Sequence, residues 1–582
     1  MRRTKIVCTL GPASSNVSVL RELICAGMNV ARLNFSHGTH EEHARTVAAA
    51  RQTAQELEQN LALLLDTKGP EVRIGTFPEG SIVLKEGERF TLTTKDVPGS
   101  KEAVSVNYPG IVNDVKVGMK VLLDDGLIIM DVQDVTAEEV HCKVEIGGEL
   151  SNRKGVNIPG AIINLPAISA KDHEDILFAI NNDLDFIAAS FVRKADDVLA
   201  IRAILEAHRS GIQIIAKIES QEGVDNIEKI LAAADGIMVA RGDLGVEIPA
   251  EDVPLVQKMI ISRCNTAGKP VITATQMLDS MIRNPRPTRA EASDVANAIF
   301  DGTDAIMLSG ETAVGKYPLE AVKTMARIAM RAETAMHYAR ILESFELPKE
   351  RSVTDAISYA TCHAAQELGA AAIITATQSG FTARNVSKYK PKARIIAVTP
   401  RESVARRLAL TWGVFPLLCR PTSTTDEMFS AAIEASLQSG YIDNGDLVLI
   451  TAGVPAGLSG TTNLMRVHTV GEIILKGTGL GKKPATGRVR MSQVGADAAH
   501  LQEGEILVAP CTDSSYVPYL SKAAGLVVEE GGLTSHAAVV ALHMGLPVIV
   551  GATDATLLLA AGDLVTIDTV RGLIYRGKAT IF

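Results

Sequence analysis

The sequence predicts an α/β protein built on a (β/α)8 barrel. Eight short apolar runs are separated by helix-length amphipathic stretches, and each run ends in a small cluster of polar or charged residues. A continuous apolar run of strand length is typical of a parallel strand buried on both faces, and eight such strands alternating with helices fit this barrel. The runs are Lys5–Leu10, Asn29–Phe35, Leu61–Leu65, Asp185–Ser190, Ile212–Ile218, Gly236–Ala240, Pro270–Ala274 and Asp304–Leu308.

The polar clusters indicate where the chemistry lies. In barrels of this kind the catalytic groups sit at the C-terminal ends of the strands. Here the candidate chemistry collects at those ends and almost nowhere else. In chain order the clusters contain Thr9, then Arg32, Asn34 and Ser36, then Asp66, Thr67 and Lys68, then Phe191 and Arg193, then Lys217 and Glu219, then Arg241, Gly242 and Asp243, then Thr275 and Gln276, and finally Ser309 and Glu311.

A small β domain is inserted after the third barrel strand. Between residues 70 and 164, short alternating runs are broken by Gly, Pro and Asp-Asp-Gly turns, which predicts a small β-barrel or sandwich. Removing this insert leaves residues 1–69 and 165–335, which is about 240 residues and close to the ~250 of a typical barrel. Strands of the insert are predicted at Glu88–Leu92, Lys120–Leu123, Ile128–Val132 and Glu139–Glu145.

Two further domains follow the barrel. Residues 336–476 alternate between helix-like and strand-like segments, which predicts an open α/β domain, called here the C domain. Residues 477–484 are rich in Gly and Lys and have the composition of a linker. We expect a last α/β domain in residues 485–582. The elements predicted in the C domain are helices at Val353–Leu368 and Thr425–Ser439 and strands at Ala371–Thr375, Arg394–Val398 and Leu447–Ile450.

The composition narrows the function classes. The 582 residues exceed one hydrophobic core, and 46% hydrophobic with 21% charged residues is ordinary for a globular protein. A net charge of −9 disfavours nucleic acid or an anionic membrane as the main partner. No apolar run reaches the roughly 18–20 residues of a membrane span, and the first run is too short for a signal peptide. Seven scattered cysteines without a CxxC pair indicate reduced thiols, so we expect a cytoplasmic enzyme.

Glu219 and Asp243 predict a divalent metal site. They follow consecutive strands, whose ends can aim two carboxylates at one point, and two carboxylates with substrate oxygens and water are typical of Mg²⁺ or Mn²⁺. Lys217 lies on the same side of its strand as Glu219. A lysine beside a metal suits a transferring phosphoryl group or an enolate. Either residue alone would more often belong to an exposed ion pair, but the position beside Asp243 favours the functional interpretation.

Two other strand ends give weaker signals. In the turn Arg241–Gly245 a glycine lets backbone N–H groups approach an anion, although an ordinary βα turn has the same pattern. The oxygen groups of Asn34, Ser36, Asp66 and Thr67 suit a monovalent cation. They equally suit a hydrogen-bonded polar layer that closes the barrel, and the spacing leaves both interpretations open.

Six segments at these strand ends resemble the pyruvate kinase family. Each is a modest match, but all six occur in the family's order, with the insertion between the third and fourth strands. The resemblance covers residues 1–475 and implies a catalytic barrel, a mobile inserted lid and an allosteric C domain. The segments are Ala31–Gly38, Leu65–Arg73, Ala216–Glu219, Ala240–Gly245, Thr273–Leu278 and Met307–Thr312.

The resemblance implies phosphoryl transfer from phosphoenolpyruvate to ADP, giving pyruvate and ATP, the last step of glycolysis. It also implies Mg²⁺ (or Mn²⁺) and K⁺ as cofactors, a phosphorylated allosteric effector and a homotetramer. Among the implied catalytic groups, Arg32 binds the substrate phosphate and Lys217 stabilises the phosphoryl group in flight. Thr275 and Ser309 stand where the enolate is protonated.

The resemblance also implies binding roles. Glu71 is the residue type that accompanies K⁺ dependence in this family, since a lysine there would itself supply the positive charge. The implied sets are Glu219 and Asp243 for the divalent ion, Gly242, Asp243, Thr275 and Arg32 for the substrate, Asn34, His37, Arg73 and Lys154 for the nucleotide, and Asn34, Ser36, Asp66 and Thr67 for K⁺.

The loop Thr377–Arg384 of the C domain corresponds to the family's effector loop. Hydroxyls and free N–H groups at a helix start form a phosphate cradle, although a plain helix cap uses the same residues. Phe381 stands where the family often has a basic residue, which disfavours fructose 1,6-bisphosphate and favours a monophosphate such as AMP or ribose 5-phosphate. The implied effector residues are Thr377, Ser379, Gly380 and Thr382.

The segments Glu530–Ala538 and Gly545–Gly551 resemble the phosphohistidine swivelling domain of phosphoenolpyruvate-utilising enzymes. In those enzymes the histidine that corresponds to His536 carries the phosphoryl group. The chain has no convincing ATP-grasp partner to exchange that group, so we favour a structural or regulatory role over a phosphohistidine relay.

Two alternatives come from other function classes. A lyase or aldolase on a related pyruvate-enolate barrel would use the same Glu219 and Asp243 pair, but it would need neither the segment Asp66–Arg73 nor the insert. A non-catalytic regulatory protein should have lost Lys217 or a metal carboxylate, and this sequence has lost neither.

Overall fold

Eight parallel strands close into the barrel that the sequence predicts. The structure is a computed structural model and describes residues 1–345, 352–454, 462–481 and 483–581. The chain forms two compact units. The first contains Met1–Arg351, Ala383–Lys390 and Arg401–Pro416, and the second contains Ser352–Thr382, Pro391–Pro400 and Leu417–Phe582. The first unit begins with strands β1 (Lys5–Leu10), β2 (Val30–Asn34) and β3 (Ala62–Asp66) and helices α1 (Val17–Ala26) and α2 (His40–Glu56).

The insert after β3 is entirely β apart from one short helix. Six of its strands form one sheet in the order β11-β7-β8-β9-β5-β6, and β10 pairs with β4. Inward residues such as Phe90, Val121 and Met130 give it an apolar core of its own. Its elements are β4 (Ser81–Leu84), β5 (Arg89–Thr93), β6 (Ala103–Ser105), α3 (Ile111–Asp114), β7 (Lys120–Leu123), β8 (Ile128–Val135), β9 (Glu139–Ile146), β10 (Gly148–Ser151) and β11 (Val156–Asn157).

Five more strands complete the barrel, in the order β1-β16-β15-β14-β13-β12-β3-β2. Nearly every barrel residue is buried, which explains why the apolar runs locate these strands so well. The strands are β12 (Phe186–Ala189), β13 (Gln213–Ile218), β14 (Gly236–Ala240), β15 (Val271–Ala274) and β16 (Ala305–Leu308). The helices are α4 (Ala170–Asn181), α5 (Ala195–Ala207), α6 (Gln221–Asp225), α7 (Ile227–Ala233), α8 (Arg241–Glu247), α9 (Val253–Ala267), α10 (Arg289–Phe300), α11 (Gly310–Ala313), α12 (Pro318–Ala335) and α13 (Tyr338–Glu343).

The floor of the barrel is closed by residues far along the chain. Ala409 and Leu410 belong to the same buried cluster as the barrel residues Val7 and Leu64. Beside them, Asp304 accepts hydrogen bonds from Lys390 Nζ (3.1 Å) and from the backbone N–H of Trp412 (3.2 Å). These segments lie within residues 336–476, which the sequence assigns to the C domain, yet they pack with the barrel.

The C domain sheet has the strand order β19-β18-β17-β20-β21. Strand β21 lies at an edge and pairs antiparallel with β20. The predicted strands and helices are present, and strands β19 and β21 and helices α15 and α16 are additional. The elements are α14 (Val353–Glu367), β17 (Ala372–Ala376), α15 (Phe381–Ser387), β18 (Arg394–Thr399), α16 (Glu402–Leu408), β19 (Val414–Leu418), α17 (Thr425–Gln438), β20 (Leu447–Gly453) and β21 (Thr462–Thr469).

The terminal domain is an eight-stranded sheet in the order β22-β29-β28-β24-β25-β26-β27-β23. Among the described residues, no helix of the chain has both the length and the apolar character that a membrane span requires. The elements are β22 (Ile473–Lys476), β23 (Thr478–Leu480), β24 (Ala485–Met491), β25 (Ile506–Ala509), β26 (Gly525–Val528), α18 (His536–Met544), β27 (Val548–Val550), α19 (Ala555–Leu558), β28 (Leu564–Asp568) and β29 (Leu573–Arg576).

Three residues of the predicted linker at 477–484 form a strand of this sheet, β23. Strand β23 pairs antiparallel with β27, and the preceding β22 pairs with β29. The glycines serve close packing, because a Cβ on Gly479 would lie 2.1 Å from the carbonyl oxygen of Thr569. Lys482 lies outside the described residues. The prediction of a linker at 477–484 is therefore wrong for Thr478–Leu480, which form a strand of the terminal sheet.

Candidate active site

Lys217 lies at the centre of a buried ion network at the C-terminal end of the barrel. Its Nζ is 3.1 Å from Asp66 Oδ1 and 2.9 Å from Glu219 Oε1, and it donates to Ser190 Oγ at 2.7 Å. The side chain reaches from β13 toward the ends of β3 and β12. Burial opposes a charge on Lys217, but the carboxylates of Asp66 and Glu219 outweigh it and raise the pKa of the ammonium group. The lysine is therefore held as a cation.

Arg32 supplies the second cation of this network. Its Nε donates to Asp66 Oδ2 at 2.6 Å, and its Nη1 donates to Thr9 Oγ1 at 2.8 Å. Burial opposes a charge on Asp66, but Arg32 and Lys217 together lower the pKa of its carboxyl group. Two fixed cations around one carboxylate form a suitable receptor for a second anion such as a phosphoryl group.

Glu219 and Asp243, which the sequence predicts as a pair of metal ligands, lie within hydrogen-bond reach of each other. Burial raises the pKa of Glu219 to about 7, with Lys217 opposing the shift and Asp243 adding to it, and the backbone N–H of Phe191 donates to Glu219 Oε2 at 2.6 Å. Burial also raises the pKa of Asp243, which Lys217 and a hydrogen bond from Glu219 oppose. Two carboxyl groups close enough to share a proton are a suitable place for a divalent cation.

The donors of this pair fit magnesium. Mg²⁺ usually binds one or two protein carboxylates and takes its other ligands from substrate phosphates and water. Within the described residues, no group of three or more His, Cys, Asp or Glu side chains is placed to hold a metal ion.

Thr275 and Gly242 meet at the ends of β15 and β14. The backbone N–H of Gly242 donates to Thr275 Oγ1 at 2.7 Å, and Arg241 Nη2 donates to the Thr275 carbonyl at 2.7 Å. Thr275 has φ +65° and Gln276 has φ +54°. A positive φ is strained for both residues and most costly for Thr275, whose side chain is β-branched. Such strain is typical of functional sites, and here Arg241 holds it in place.

Ser309 is positioned by Glu311. The Glu311 carboxylate accepts the backbone N–H of Ser309 at 2.7 Å and that of Leu278 at 3.1 Å. Burial raises the pKa of this carboxyl group, against the hydrogen bonds that it accepts. Glu311 therefore ties the loop after β16 to the loop after β15, which carries Thr275.

The oxygen groups predicted to hold K⁺ lie on neighbouring strand ends. Asn34 and Asp66 are register partners of β2 and β3, and the backbone N–H of Ser36 donates to Asn34 Oδ1 at 3.1 Å. Thr67 Oγ1 donates to the Ala188 carbonyl at 3.3 Å. The four residues are therefore close in the fold, and they also take part in the polar layer that the sequence allows as an alternative.

The predicted nucleotide residues make local contacts. Arg73 Nε donates to Glu71 Oε2 at 2.7 Å, and Lys154 Nζ is 2.7 Å from Asp124 Oδ1. The carbonyl of His37 accepts from His43 Nε2 at 2.9 Å. These contacts of Arg73 and Lys154 lie within the insert, away from the Lys217 network.

A cleft of about 490 Å³ lies between the insert and the carboxylates of Glu219 and Asp243. Glu71, Val156 and Asn157 of the insert line it together with Glu219 and Asp243 of the barrel. Asn157 Nδ2 also donates to Glu247 Oε1 on α8 at 2.9 Å. The insert thus forms one wall of a cavity whose other wall is the catalytic end of the barrel.

The predicted effector loop is locally ordered by its own hydroxyls. The backbone N–H of Gly380 donates to Thr377 Oγ1 at 3.0 Å, and Gly380 has φ +79°. The hydroxyls of Thr382 and Thr462 lie 2.8 Å apart. Ser379 is half-buried.

His536 begins helix α18 in the terminal domain. It is half-buried, and its Nδ1 lies 3.2 Å from Thr512 Oγ1. Ser535 caps the helix by accepting the backbone N–H of Ala538 at 3.4 Å.

Sequence reasoning assigned no role to several residues of the site. The sequence marks Thr9, Phe191 and Glu311 only as members of strand-end clusters, and Ser190 only as the end of an apolar run. Phe191 acts through its backbone N–H, Thr9 and Ser190 act through a single hydroxyl, and Glu311 binds backbone N–H groups, so residue type alone does not reveal these contacts. Position at a strand end was the one signal that could have marked them.

Comparisons with known proteins agree with this geometry. The barrel domain of pyruvate kinase matches residues 1–322, the alpha/beta domain of pyruvate kinase matches residues 355–468, and the mobile domain of PEP-utilising enzymes matches residues 501–572. Pyruvate kinases from Geobacillus stearothermophilus, Bacillus licheniformis and Staphylococcus aureus (strain MRSA252) are 56%, 54% and 50% identical to the chain. Each comparison covers 100% of both proteins. The chain therefore belongs to the pyruvate kinase family and is a phosphotransferase enzyme.

Proposed function

We propose that the enzyme transfers the phosphoryl group of phosphoenolpyruvate to ADP, with Mg²⁺ (or Mn²⁺) and K⁺ as cofactors and with allosteric control. The observation that carries this proposal is the Lys217 network. In it two fixed cations, Arg32 and Lys217, lie among three carboxylates, those of Asp66, Glu219 and Asp243. Opposite charges arranged in this way suit a tri-anionic substrate that arrives with a divalent cation.

The residues divide the reaction between them. Arg32 binds the substrate phosphate, and the backbone of Gly242 and Asp243 binds its carboxylate. Lys217 stabilises the negative charge on the phosphoryl group while the P–O bond to the enol oxygen breaks and a new P–O bond to the terminal phosphate oxygen of ADP forms. A divalent ion at Glu219 and Asp243 would supply charge neutralisation when bound.

The enolate that remains takes a proton at its methylene carbon to give pyruvate. Thr275 and Ser309 are the proposed groups on that side. Support comes from the loops that carry them, which Glu311 joins through the N–H groups of Ser309 and Leu278. A hydroxyl close to that carbon would suit a proton relay.

For the nucleotide we propose Asn34, His37, Arg73 and Lys154, and for K⁺ we propose Asn34, Ser36, Asp66 and Thr67. The cleft beside the insert supports a nucleotide site, because Glu71 and Asn157 next to Arg73 and Lys154 line it. The strand register that pairs Asn34 with Asp66 supports a shared oxygen site. In this proposal the barrel is the catalytic domain and the insert is its lid.

The proposed regulation involves the C domain and assembly. A monophosphate such as AMP or ribose 5-phosphate would bind at Thr377, Ser379, Gly380 and Thr382. A homotetramer is supported by β21, an eight-residue edge strand on which Met465 and Val467 are 37% and 43% exposed. An exposed apolar edge strand of this length is a ready surface for pairing with a second copy.

For the cell compartment and for the terminal domain, we propose a cytoplasmic enzyme and a structural or regulatory domain. All seven cysteines are free thiols, which supports a reducing compartment.

The test is a coupled assay for pyruvate. Purified enzyme is given phosphoenolpyruvate, ADP, Mg²⁺ and K⁺, and pyruvate is followed through NADH oxidation by lactate dehydrogenase. We expect pyruvate and ATP in equal amounts and none without ADP. Pyruvate formed without ADP, together with inorganic phosphate, would indicate hydrolysis and contradict transfer to ADP. No pyruvate at all would favour the lyase or the regulatory alternative.

A further inference from the structure

Both connections between barrel and insert meet the segment Ser190–Arg193, which follows β12. On the outgoing connection, Gly69 has φ +72°, and a Cβ there would lie 2.8 Å from Ser190 Cβ and 3.0 Å from Phe191 Cδ2. On the return connection, Arg193 Nη1 donates to the Ile163 carbonyl at 2.6 Å and Nη2 to the Leu165 carbonyl at 2.8 Å. One short segment therefore contacts both hinges of the insert.

The return hinge is held from its other side as well. Asn164, between the two carbonyls that Arg193 binds, donates its backbone N–H and its Nδ2 to Asp114 of the insert, at 3.0 and 2.9 Å. Tyr108 of the insert donates its hydroxyl to the same carboxylate at 2.5 Å. Three successive residues are thus bound alternately by the barrel and by the insert, so a movement of the insert must act on Arg193.

Arg193 itself is fixed on the barrel. Its backbone N–H donates to Asp197 Oδ2 at 2.9 Å, its Nε lies 3.3 Å from the same oxygen, and its carbonyl accepts Asn226 Nδ2 at 3.0 Å. Its side chain is 12% exposed. Because its side chain and backbone are held by several partners at once, Arg193 cannot change conformation freely. A shift of the carbonyls that it binds should therefore move the segment that carries it.

The same segment contacts the catalytic network. Phe191, at φ +55°, donates its backbone N–H to Glu219 Oε2 at 2.6 Å, and Ser190 Oγ accepts from Lys217 Nζ at 2.7 Å and lies 3.2 Å from Asp66 Oδ1. A positive φ at a phenylalanine persists only where the surroundings impose it. The position of this N–H, and with it the aim of the Glu219 carboxylate, therefore depends on how the segment is held.

We propose that Ser190–Arg193 mechanically couples the insert to the metal site, with Arg193 as a positioning residue that sets the affinity of the Glu219–Asp243 pair for a divalent ion. The proposal rests on the proposed function of that pair. When the insert is in place, Arg193 holds Ile163 and Leu165, and Phe191 presents its N–H to Glu219. When Arg193 no longer holds these two carbonyls, the Phe191 N–H moves away from Glu219. The Glu219 carboxylate is then less well oriented, and Glu219 and Asp243 bind the divalent ion less tightly.

The experiment measures Mn²⁺ binding directly, by electron paramagnetic resonance of free Mn²⁺, on the full chain without substrates. We expect Arg193→Ala to weaken Mn²⁺ binding about tenfold. Arg193→Lys, which keeps a charge beside Asp197 but cannot bind both carbonyls, should give an intermediate value. The matched control is Arg202→Ala on α5. This variant removes an arginine that pairs with Asp235 at 2.6 Å and has no proposed role in the coupling, so it should bind Mn²⁺ like the parent.

A second readout follows the hinge itself. Limited subtilisin digestion of the metal-free protein should cut near residues 160–168 faster in Arg193→Ala than in the parent or in Arg202→Ala. Gly69→Ala approaches from the other hinge and should also weaken Mn²⁺ binding, because its new methyl group displaces Ser190 and Phe191. If Arg193→Ala fails to fold by circular dichroism, Arg193→Lys and Gly69→Ala decide the question.

The outcomes separate this proposal from the proposed function. A folded Arg193→Ala or Arg193→Lys with parent Mn²⁺ affinity overturns the coupling, while the parent still binds Mn²⁺ and makes pyruvate. A parent that neither binds Mn²⁺ nor makes pyruvate would instead overturn the proposed function. Equal weakening in the Arg202→Ala control would show a general loss of stability and would also overturn the coupling.

Discussion

The replacement Lys217→Met tests the central cation of the site. Methionine keeps most of the side-chain length and volume while removing the ammonium group and its contacts to Asp66, Glu219 and Ser190. A donor aimed at charge that develops in the transition state is typically worth about 10²–10³-fold in turnover, or about 3–4 kcal/mol. We expect turnover to fall by at least that factor, with phosphoenolpyruvate still bound through Arg32.

The cost to stability should be smaller than for most broken buried ion pairs, which lose about 3–5 kcal/mol. Asp66 keeps Arg32 as its partner at 2.6 Å. Glu219, whose pKa already lies at about 7, can take up a proton instead of remaining as an unpaired charge. We therefore expect the variant to purify as folded protein with a Tm within about 5 °C of the parent.

The assay is the coupled pyruvate measurement at saturating substrates, combined with a thermal scan of each protein. Lys258→Met is the matched control, since Lys258 is an exposed lysine on α9 that pairs with Asp301. A folded Lys217→Met enzyme with near-normal turnover would refute the role of Lys217. Equal losses in both variants would point to a general effect of removing a lysine.

Four further predictions concern other parts of the chain. Replacing K⁺ by tetramethylammonium should sharply lower the rate, and Glu71→Lys should reduce that requirement; equal rates in both buffers would contradict the K⁺ site. The phosphoenolpyruvate dependence should be sigmoidal and relieved by AMP or ribose 5-phosphate, and Ser379→Glu should abolish the relief by placing a carboxylate in the phosphate cradle; hyperbolic kinetics that no sugar phosphate or nucleotide changes would count against the effector loop. A chain that ends at Val470, before β22, should keep its turnover, as should His536→Ala; acid-labile label from phosphoenolpyruvate that is lost in His536→Ala would reveal a second phosphotransfer site. Burial lowers the pKa of Lys5 to about 7, so at pH 7 the unfolded chain binds a proton at Lys5 more readily than the folded protein does, and this destabilises the fold. The Tm of the parent should therefore lie below that of Lys5→Met at pH 7, and the gap should shrink as the pH rises to 10. A gap that stays constant would show that Lys5 is not buried as a neutral amine.

The barrel was predictable because burial on both faces leaves a simple record in the sequence. Each of its strands is a continuous apolar run, and the polar residue that follows marks the catalytic end. Lys217, Glu219 and Asp243 are predicted as site residues on that basis alone. The structure adds that Asp66, expected among the K⁺ ligands, also pairs with both Arg32 and Lys217.

Other features depend on contacts that residue type does not encode. The glycines between 477 and 481 have the composition of a flexible linker, yet Gly479 permits a close approach to the Thr569 carbonyl. The hydrogen bond that orients Glu219 comes from the backbone N–H of Phe191, which has a positive φ. Neither the backbone donor nor the positive φ can be predicted from a phenylalanine in the sequence. Ala409 and Leu410 are ordinary apolar residues until the fold brings them to the barrel floor.

The closed floor of the barrel has a consequence for how the chain folds as it is synthesised. The last barrel strand ends at Leu308, but the residues that seal the interior, Ala409 and Leu410, leave the ribosome much later. Until then the nascent barrel exposes an apolar opening at the end opposite its catalytic groups. A fragment that stops at residue 335 should therefore be prone to aggregation and proteolysis although it contains every barrel strand, because the later segment that completes its core is missing.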